Sequence, residues 1–376
     1  MKIVLGVNFP LGCPAGLEVW VEGFLDGLSS VDTENQYLIF DFFVRDYKNR
    51  IKKIKIPCAN NFHLFVKRVP RPVVTFFENH NFALIEKWLT RQDVDIFHGT
   101  SYFIPHLKKI KGIATIHGLD FAEMNTYWYS DKWYRNVGIY LKKADMIIAV
   151  SEYVKKSIIQ FYGISQEKVK VVYPGIRRNF RLLKEDEYSF PDNFRTFIPF
   201  ILTVATSVER KNLKRLIESF AIIRVRYKYL KLVIVGDSSL KEKLLPEIEK
   251  NRLIEGVHFT GYLDSEQLAY LYNRAELFIF PSLYEGFGLP VLEAMACGCP
   301  VVTSNVSALP EVSGGAAILV DPYNVEEIKN AIEKVLTDNQ LKKNMRNKGL
   351  KHAEKFSWKK SASEIIETYK ILKSDL

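Results

Sequence analysis

No apolar run in this sequence approaches the roughly 18 residues that a membrane-crossing helix requires, so nothing in it is built to span a bilayer. Cysteine is scarce. The four present, Cys13, Cys58, Cys297 and Cys299, give no disulfide framework in a chain of 376 residues. Cys297 and Cys299 are a close pair, but neither a second pair nor a nearby histidine completes a zinc set, so both read as small buried residues. A reducing compartment is the expectation. The opening MKIVLGVNFP has one lysine, a short apolar run and no small-residue cleavage site, and it reads as a first strand rather than a secretion leader. Disorder and low complexity are also missing. A composition 47% hydrophobic and 26% charged is ordinary for a folded chain, and its length fits two domains.

What the sequence has in excess is positive charge, +10 overall and unevenly spread. Residues 45–72, RDYKNRIKKIKIPCANNFHLFVKRVPRP, hold nine Lys or Arg against one Asp, with Phe62 and Phe65 interleaved. Such a segment can meet an anionic membrane surface, a nucleic acid or a phosphorylated substrate, or it can be a solvated face.

Short apolar runs alternate with amphipathic helical patterns, which argues for an α/β chain with parallel sheets covered on both faces. The strand expectations in the first half are 2–7, 37–44, 96–99, 112–117, 146–150 and 169–173, with helical patterns at 17–29, 132–143 and 152–162. The second half starts again with 200–205, 230–236, 257–261, 277–280, 300–304 and 316–320. Between the halves, 176–198 is polar and lacks periodicity, as a linker does. The expected organisation is a Rossmann-like domain over 1–175, a linker over 176–198, a second Rossmann-like domain over 199–355, and a last helix over 356–376. Ligands of such sheets lie off the carboxyl ends of the strands, and for two facing domains the expected site is the cleft between them.

The stretch FIFPSLYEGFGLPVLEAMACGCPVV, residues 278–302, carries Glu285 and Glu293 eight positions apart. LFIF reads as a buried strand, PSLYEGFG as a loop, and PVLEAMA as a helix with Pro290 in its first turn, where a missing N–H costs nothing. A helix starting at the carboxyl end of a strand offers free N–H groups to an anion, a preference of about 0.3–1 kcal/mol. Gly286 and Gly288 let backbone approach a ligand. The two carboxylates would then reach hydroxyls around a phosphate. The plain alternative is a helix-start acid and a surface acid.

This block resembles the donor-site signature of the retaining, GT-B-fold glycosyltransferases of family GT4: Glu, seven residues, Glu, a small-residue run and a strand. Other segments share the resemblance: VERKNLKRLIESF (208–220), ADMIIAVSEYVKKSII (144–159), VKVVYPGI (169–176) and FSWKKSA (356–362). The resemblance implies a GT-B fold, two Rossmann-like domains facing across a cleft, with the final helix crossing back to the first. It implies that Arg210 and Lys211 bind the diphosphate of a nucleotide-sugar, and cations aimed where a leaving diphosphate gains charge do stabilise its departure. It places Glu285 on hydroxyls of the donor sugar, the backbone of Gly286, Phe287, Gly288 and Leu289 near sugar and phosphate, and Glu293 on the ribose. Gly16, in PLGCPAGLEVW, matches a glycine near the donor phosphates, although the family has more glycine in that loop. His117, in TIHGLD, stands where the family places a histidine close to the reacting sugar. By residue type alone, a lone strand-end histidine is more often structural. Ala205 replaces a common family glycine.

In that family both glutamates bind hydroxyls, so the implied transfer is front-face, without a protein nucleophile. Asp93-Val94-Asp95 is a DxD, but it precedes its strand instead of following it, and no metal site is expected. No resident cofactor is expected either. GDP-mannose is the first expectation for donor, because the YEGFGLP block most resembles mannosyltransferases, and UDP-sugars come second. A glycan or lipid-linked acceptor of cell-surface polysaccharide synthesis, a cytoplasmic location at the inner membrane face, and anionic lipid met by residues 45–72 complete the expectation. Two other readings stand beside it. One is a basic nucleic-acid-binding protein, against which no RNP-like, helix-turn-helix or zinc-finger pattern is found. The other is a silent sugar-nucleotide binder or a phosphorylase on the same scaffold.

Overall fold

The structure is a computed structural model that describes residues 1–7, 15–44, 56–80, 82–119, 131–184 and 199–374. It divides into two compact units, one of Met1–Gly175 with Ser357–Leu376 and one of Ile176–Phe356.

In the first unit β1 (Lys2–Gly6), β2 (Gln36–Phe42), β3 (Phe62–Lys67), β4 (Ile96–Gly99), β5 (Lys111–Ile116), β6 (Met146–Ala149) and β7 (Val169–Val171) form one sheet, in the order β3-β2-β1-β4-β5-β6-β7. Every neighbouring pair is parallel. Consecutive Ile3, Val4 and Leu5 are each 0% exposed, so both faces of β1 are covered and its run is continuously apolar instead of alternating. The helices of this unit are α1 (Ala15–Val31), α2 (Arg71–Asn79), α3 (Leu84–Thr90), α4 (Asp131–Lys143), α5 (Glu152–Tyr162) and, after the chain returns, α13 (Trp358–Ser374). Ser151 caps α5 by accepting the Val154 N–H, and Gly163 ends it in the left-handed conformation.

The second unit repeats the plan. Strands β8 (Phe200–Ala205), β9 (Lys231–Gly236), β10 (Val257–Gly261), β11 (Leu277–Phe280), β12 (Val301–Ser304) and β13 (Ile318–Val320) run in the order β10-β9-β8-β11-β12-β13, again all parallel. Its helices are α6 (Leu213–Arg226), α7 (Ser239–Lys250), α8 (Ser265–Arg274), α9 (Leu289–Ala296), α10 (Leu309–Ser313), α11 (Val325–Thr337) and α12 (Asn339–Ala353). Cys297 and Cys299 are buried free thiols at the end of α9. Both sheets reverse their strand order once, between β1 and β4 and between β8 and β11. At such a point the loops leaving two adjacent strands turn to opposite faces and leave room for a ligand.

Two sequence expectations change. Strand β3 was not anticipated, and it lies inside the basic segment 45–72. Phe62, its first residue, is buried, Phe65 packs on the core with Phe40 and Phe97 nearby, and Lys67 Nζ sits 4.7 Å above the Phe65 ring. Those aromatics serve the sheet, so the segment is not one continuous surface patch. Its cations between 45 and 55 lie outside the described residues, as do 185–198 of the expected linker. Of the linker's described part, Phe180 is buried. The Asp93–Asp95 triplet stands at the amino end of β4, where Asp95 accepts the Lys2 N–H at 2.8 Å and pairs with Lys373.

Helix α13 seats on α1, and glycines make the room. A Cβ on Gly23 would meet the Trp358 ring at 2.1 Å, and one on Gly27 the Trp358 carbonyl at 2.4 Å. One on Gly175 would meet the Trp358 nitrogen at 2.0 Å. Further along α13, the Tyr369 hydroxyl lies 2.6 Å from His98 Nδ1, whose Nε2 meets Thr115 at 2.7 Å. Burial holds His98 down to about 3, a neutral ring between two hydroxyls.

Candidate active site

In the second unit the site grows from the switch point. After β8 the chain makes a short 3₁₀ turn, Glu209–Lys211, and Asn212 follows with φ 57°. Asparagine tolerates that left-handed conformation better than most residues. Its buried amide donates to the carbonyls of Pro281 and Pro322, at 3.0 and 2.6 Å. The turn after β8 is thereby tied to the loops after β11 and β13. Leu283 N–H also donates to the Arg210 carbonyl at 2.7 Å. Two loops that diverge by topology are thus sewn together by backbone and one amide.

This stitching brings the charges together. Arg210 Nη1 lies 2.9 Å and Lys211 Nζ 2.6 Å from the same oxygen of Glu285, Oε1. Arg210 also donates to the Tyr284 carbonyl at 3.1 Å, and Lys211 sits 4.6 Å over the Phe280 ring. Burial raises the Glu285 carboxyl, but Arg210, Lys211 and the nearby Ser282 outweigh it and hold the group down to about 2. Glu285 is thus an anion at any working pH, with two cations on one carboxylate. The pairing leaves one positive charge in surplus. The backbone here is braced as well: Glu285 N–H donates to Ser307 Oγ at 3.0 Å, and its carbonyl accepts the Ala308 N–H at 3.3 Å.

From Glu285 the loop runs through buried Gly286, Phe287 and Gly288 into α9, which begins at Leu289. Gly288 has φ 111°, a backbone conformation that demands glycine, and a Cβ there would also press the end of the Leu309 side chain, 2.8 Å from Cδ2. No side chain caps α9, and Pro290 occupies its first turn. Glu293 stands one turn in. It is 5% exposed, which removes the surface-acid alternative. Its Oε1 pairs with Arg177 Nη2 at 3.3 Å. Burial raises the Glu293 carboxyl, and Arg177 offsets this only in part.

In the first unit, Gly16 lies in the first turn of α1, exposed, with open space where a Cβ would stand. One turn later Trp20 lays its ring edge-on against His117, centroids 4.9 Å apart. His117 follows β5, and its Nε2 is 2.7 Å from the Thr100 carbonyl at the end of β4. A carbonyl only accepts, so Nε2 carries the hydrogen and Nδ1 keeps a lone pair. Burial pulls the ring down to about 4, against a smaller opposing effect of the Thr100 carbonyl. His117 is therefore a neutral acceptor at physiological pH.

The structure bonds Arg210, Lys211 and Glu285 directly, puts Gly286 to Glu293 on the continuous loop and helix that follow, and keeps Gly16 and His117 in the first unit, Gly16 in the first turn of α1 and His117 against Trp20 one turn further along that helix. Sequence reasoning missed Asn212, Ser307 and Arg177. Asn212 had a signal, an Asn just before a helical pattern. Ser307 and Arg177 had none, because each acts on a partner far away in sequence.

Among the described residues no group of three or more His, Cys, Asp or Glu gathers as a metal set. None of the described helices is long and apolar enough to cross a membrane.

Comparison with known proteins bears on this geometry. Residues 41–180 match the family model described as Glycosyltransferase Family 4, and residues 184–352 match the model described as Glycosyl transferases group 1. The O-antigen chain mannosyltransferase B of Escherichia coli is 30% identical over 307 residues, covering 76% of this chain and 77% of that protein. Among solved structures, sucrose-phosphate synthase from Thermosynechococcus elongatus superposes with a TM-score of 0.80 at 18% identity, covering both chains in full. Anabaena HepE in complex with UDP-glucose does so with a TM-score of 0.76 at 19% identity, covering 98% of this chain and 99% of that one. At such identities the structural likeness speaks for the fold, two parallel-sheet Rossmann-like units of GT-B type. The family models and the mannosyltransferase carry the rest: the chain belongs to the glycosyltransferases of family 4.

Proposed function

We propose that this glycosyltransferase is a retaining hexosyltransferase that moves mannose from GDP-mannose to a hydroxyl of a glycan or lipid-linked acceptor in cell-surface polysaccharide synthesis. The observation that carries the reading is the pairing of Arg210 and Lys211 with buried Glu285 at the switch point of the second sheet, immediately before an uncapped helix start. Two cations and a helix N-terminus at one place suit a diphosphate, whose charge grows as the glycosidic bond breaks. Arg210 has five N–H donors and Lys211 three, so each can keep Glu285 and still hold a phosphate oxygen. Glu285, anionic and fixed, accepts hydrogen bonds from hydroxyls of the sugar. The backbone from Gly286 to Leu289 lies along sugar and phosphate, and Glu293 accepts from the ribose.

Transfer runs on the front face. The acceptor oxygen bonds to the anomeric carbon on the side from which the diphosphate departs. The bond from that carbon to the phosphate oxygen breaks, and the leaving phosphate takes the acceptor proton. Configuration is kept and no protein base is consumed. Neutral His117 and Gly16 of the first unit are assigned to the same reaction, His117 as a hydrogen-bonding group toward the reacting sugar. The developing charge is met by Arg210, Lys211 and the helix start, so activity is expected to survive chelation of divalent ions.

Mannose stands first because the E. coli relative is named as a mannosyltransferase. A UDP-sugar stands second, since HepE, of like fold, was solved with UDP-glucose. The basic residues of 45–72 fit attraction to an anionic leaflet and a cytoplasmic enzyme working at its surface. The test is a thermal-shift panel of GDP-mannose, UDP-glucose, UDP-GlcNAc, GDP and UDP on the wild type and Lys211→Ala. Stabilisation by one nucleotide family, lost in the variant, supports the donor site. Stabilisation by none of them overturns it. NMR of the product anomer decides retention, and liposome flotation without preference for anionic lipid removes the membrane role.

A further inference from the structure

Resting on the reading of Glu293 as the ribose-binding carboxylate, we propose that Arg177 is its positioning residue. Arg177 holds one oxygen of Glu293 and keeps the other as an acceptor for the vicinal hydroxyls of a nucleotide ribose.

The geometry is specific. Arg177 begins a turn closed by the Phe180 N–H on the Arg177 carbonyl, 3.0 Å. Its guanidinium lies 4.9 Å from the centre of the Phe180 ring, and that ring stands edge-on to Tyr272 of α8, 5.9 Å between centroids. The guanidinium is therefore pinned before it meets Glu293. Its Nη2 reaches Oε1 at 3.3 Å, while Nε is buried with no partner. The planar fork, able to grip a carboxylate with two parallel bonds, uses one. Among the described residues, no hydrogen-bond donor other than Arg177 meets the Glu293 carboxylate.

Ribose hydroxyls are best held by an anion that accepts from both. Glu293 needs help to be one. Facing it are Arg177 from the segment before Phe180, Tyr272 from α8 and Cys297 from the end of α9. Tyr272 and Cys297 are both buried, and burial pushes both groups up, so they face Glu293 as neutral groups. Arg177 supplies the positive charge against a burial that favours protonation. Without it the carboxyl takes a proton at a higher pH, and a protonated carboxyl offers a poorer acceptor set. Arg177 thus acts through Glu293 and not on the reacting atoms.

The experiment titrates GDP and UDP, with their 2′-deoxy forms, into the full chain between about pH 5.5 and 8.5. It compares wild type, Arg177→Met, Arg177→Lys and Glu293→Gln, each checked by its melting curve. Arg177→Met is expected to weaken whichever nucleotide the wild type binds by about tenfold or more. Its preference for ribose over deoxyribose should collapse, its loss should deepen as pH falls, and Arg177→Lys should recover part of both. Wild-type affinity and pH profile in Arg177→Met, beside a weakened Glu293→Gln, overturn the role of Arg177 and leave Glu293 on the ribose. Tighter binding by Arg177→Met means that the arginine competes with the ligand, and also overturns it. Unchanged discrimination in Glu293→Gln removes the ribose reading itself, as does a wild type that binds neither nucleotide. Both arginine variants failing to fold would make Arg177 structural and end the proposal.

Discussion

Lys211 Nζ lies 2.6 Å from Glu285 Oε1, joining the turn after β8 to the loop after β11 through one buried ion pair. Each side chain is 11% exposed, so the attraction is little screened by solvent. A pair this buried contributes less to stability than its Coulomb energy implies, because both ions lost their hydration. Losing one partner is the costly event, since the other charge then stays buried alone.

The acid dependence of stability should report Glu285. Its folded carboxyl is depressed from an ordinary 4.5 to about 2, so its contribution is fully present above about 4.5 and is lost as pH falls toward about 2. Such a shift corresponds to about 3 kcal/mol. Glu285→Gln should melt lower than wild type at pH 7, and the two melting curves should converge as the pH approaches that lower value. Parallel curves across the whole acid range would mean that Glu285 is not held as described.

Gly288→Ala combines a left-handed backbone with a Cβ 2.8 Å from Leu309 Cδ2. A cost of about 1–3 kcal/mol is expected, seen as a lower melting temperature. Nucleotide stabilisation should fall with it, because a residue with a Cβ strains the left-handed backbone from which α9 begins. An alanine variant with unchanged melting and binding would show that the loop has slack.

His117 should stay neutral across the working range. Its folded pKa of about 4 lies below the ordinary 6.5, so the stability that it contributes is present above 6.5 and lost as pH falls through about 4. Nitrogen NMR should find Nε2 protonated and Nδ1 bare near neutrality. His117→Phe should lower kcat by about a hundredfold while leaving nucleotide affinity nearly unchanged, since Arg210, Lys211, Glu285 and Glu293 all belong to the second unit. Loss of nucleotide affinity in step with kcat would contradict that division.

The seat of α13 should fail at its glycines. Gly27→Val would drive a side chain into the Trp358 carbonyl, already 2.4 Å from a single added carbon. Overpacking of this kind costs about 1–3 kcal/mol and is not absorbed by a backbone atom. Limited proteolysis should then cut within 357–376 faster than in wild type. Equal cleavage rates would show that α13 is held without this contact.

Much of the fold could be read from apolar runs alone. Strands buried on both faces are short and unbroken, so β1, β4, β6, β8, β9 and β11 declare themselves in sequence. Strand β3 did not, because Phe62–Lys67 lies at the sheet edge, amid lysines and arginines that dominate its neighbourhood. Local pattern cannot tell an edge strand in a basic stretch from a charged loop.

The chemistry divides along the same line. Sequence by itself determined the two-sheet α/β plan, because strand, turn and helix starts are local, while the candidate set of Gly16, His117, Arg210, Lys211, Glu285 to Leu289 and Glu293 came from the resemblance of its motifs to family GT4. Tertiary structure alone decided that both glutamates are buried, that Arg210 and Lys211 share one carboxylate oxygen, that Asn212 binds two distant carbonyls, and that Arg177 faces Glu293. Those relations join residues 69 to 116 positions apart. No periodicity reaches that far; only the crossing of strands at a switch point brings such residues within a hydrogen bond of one another.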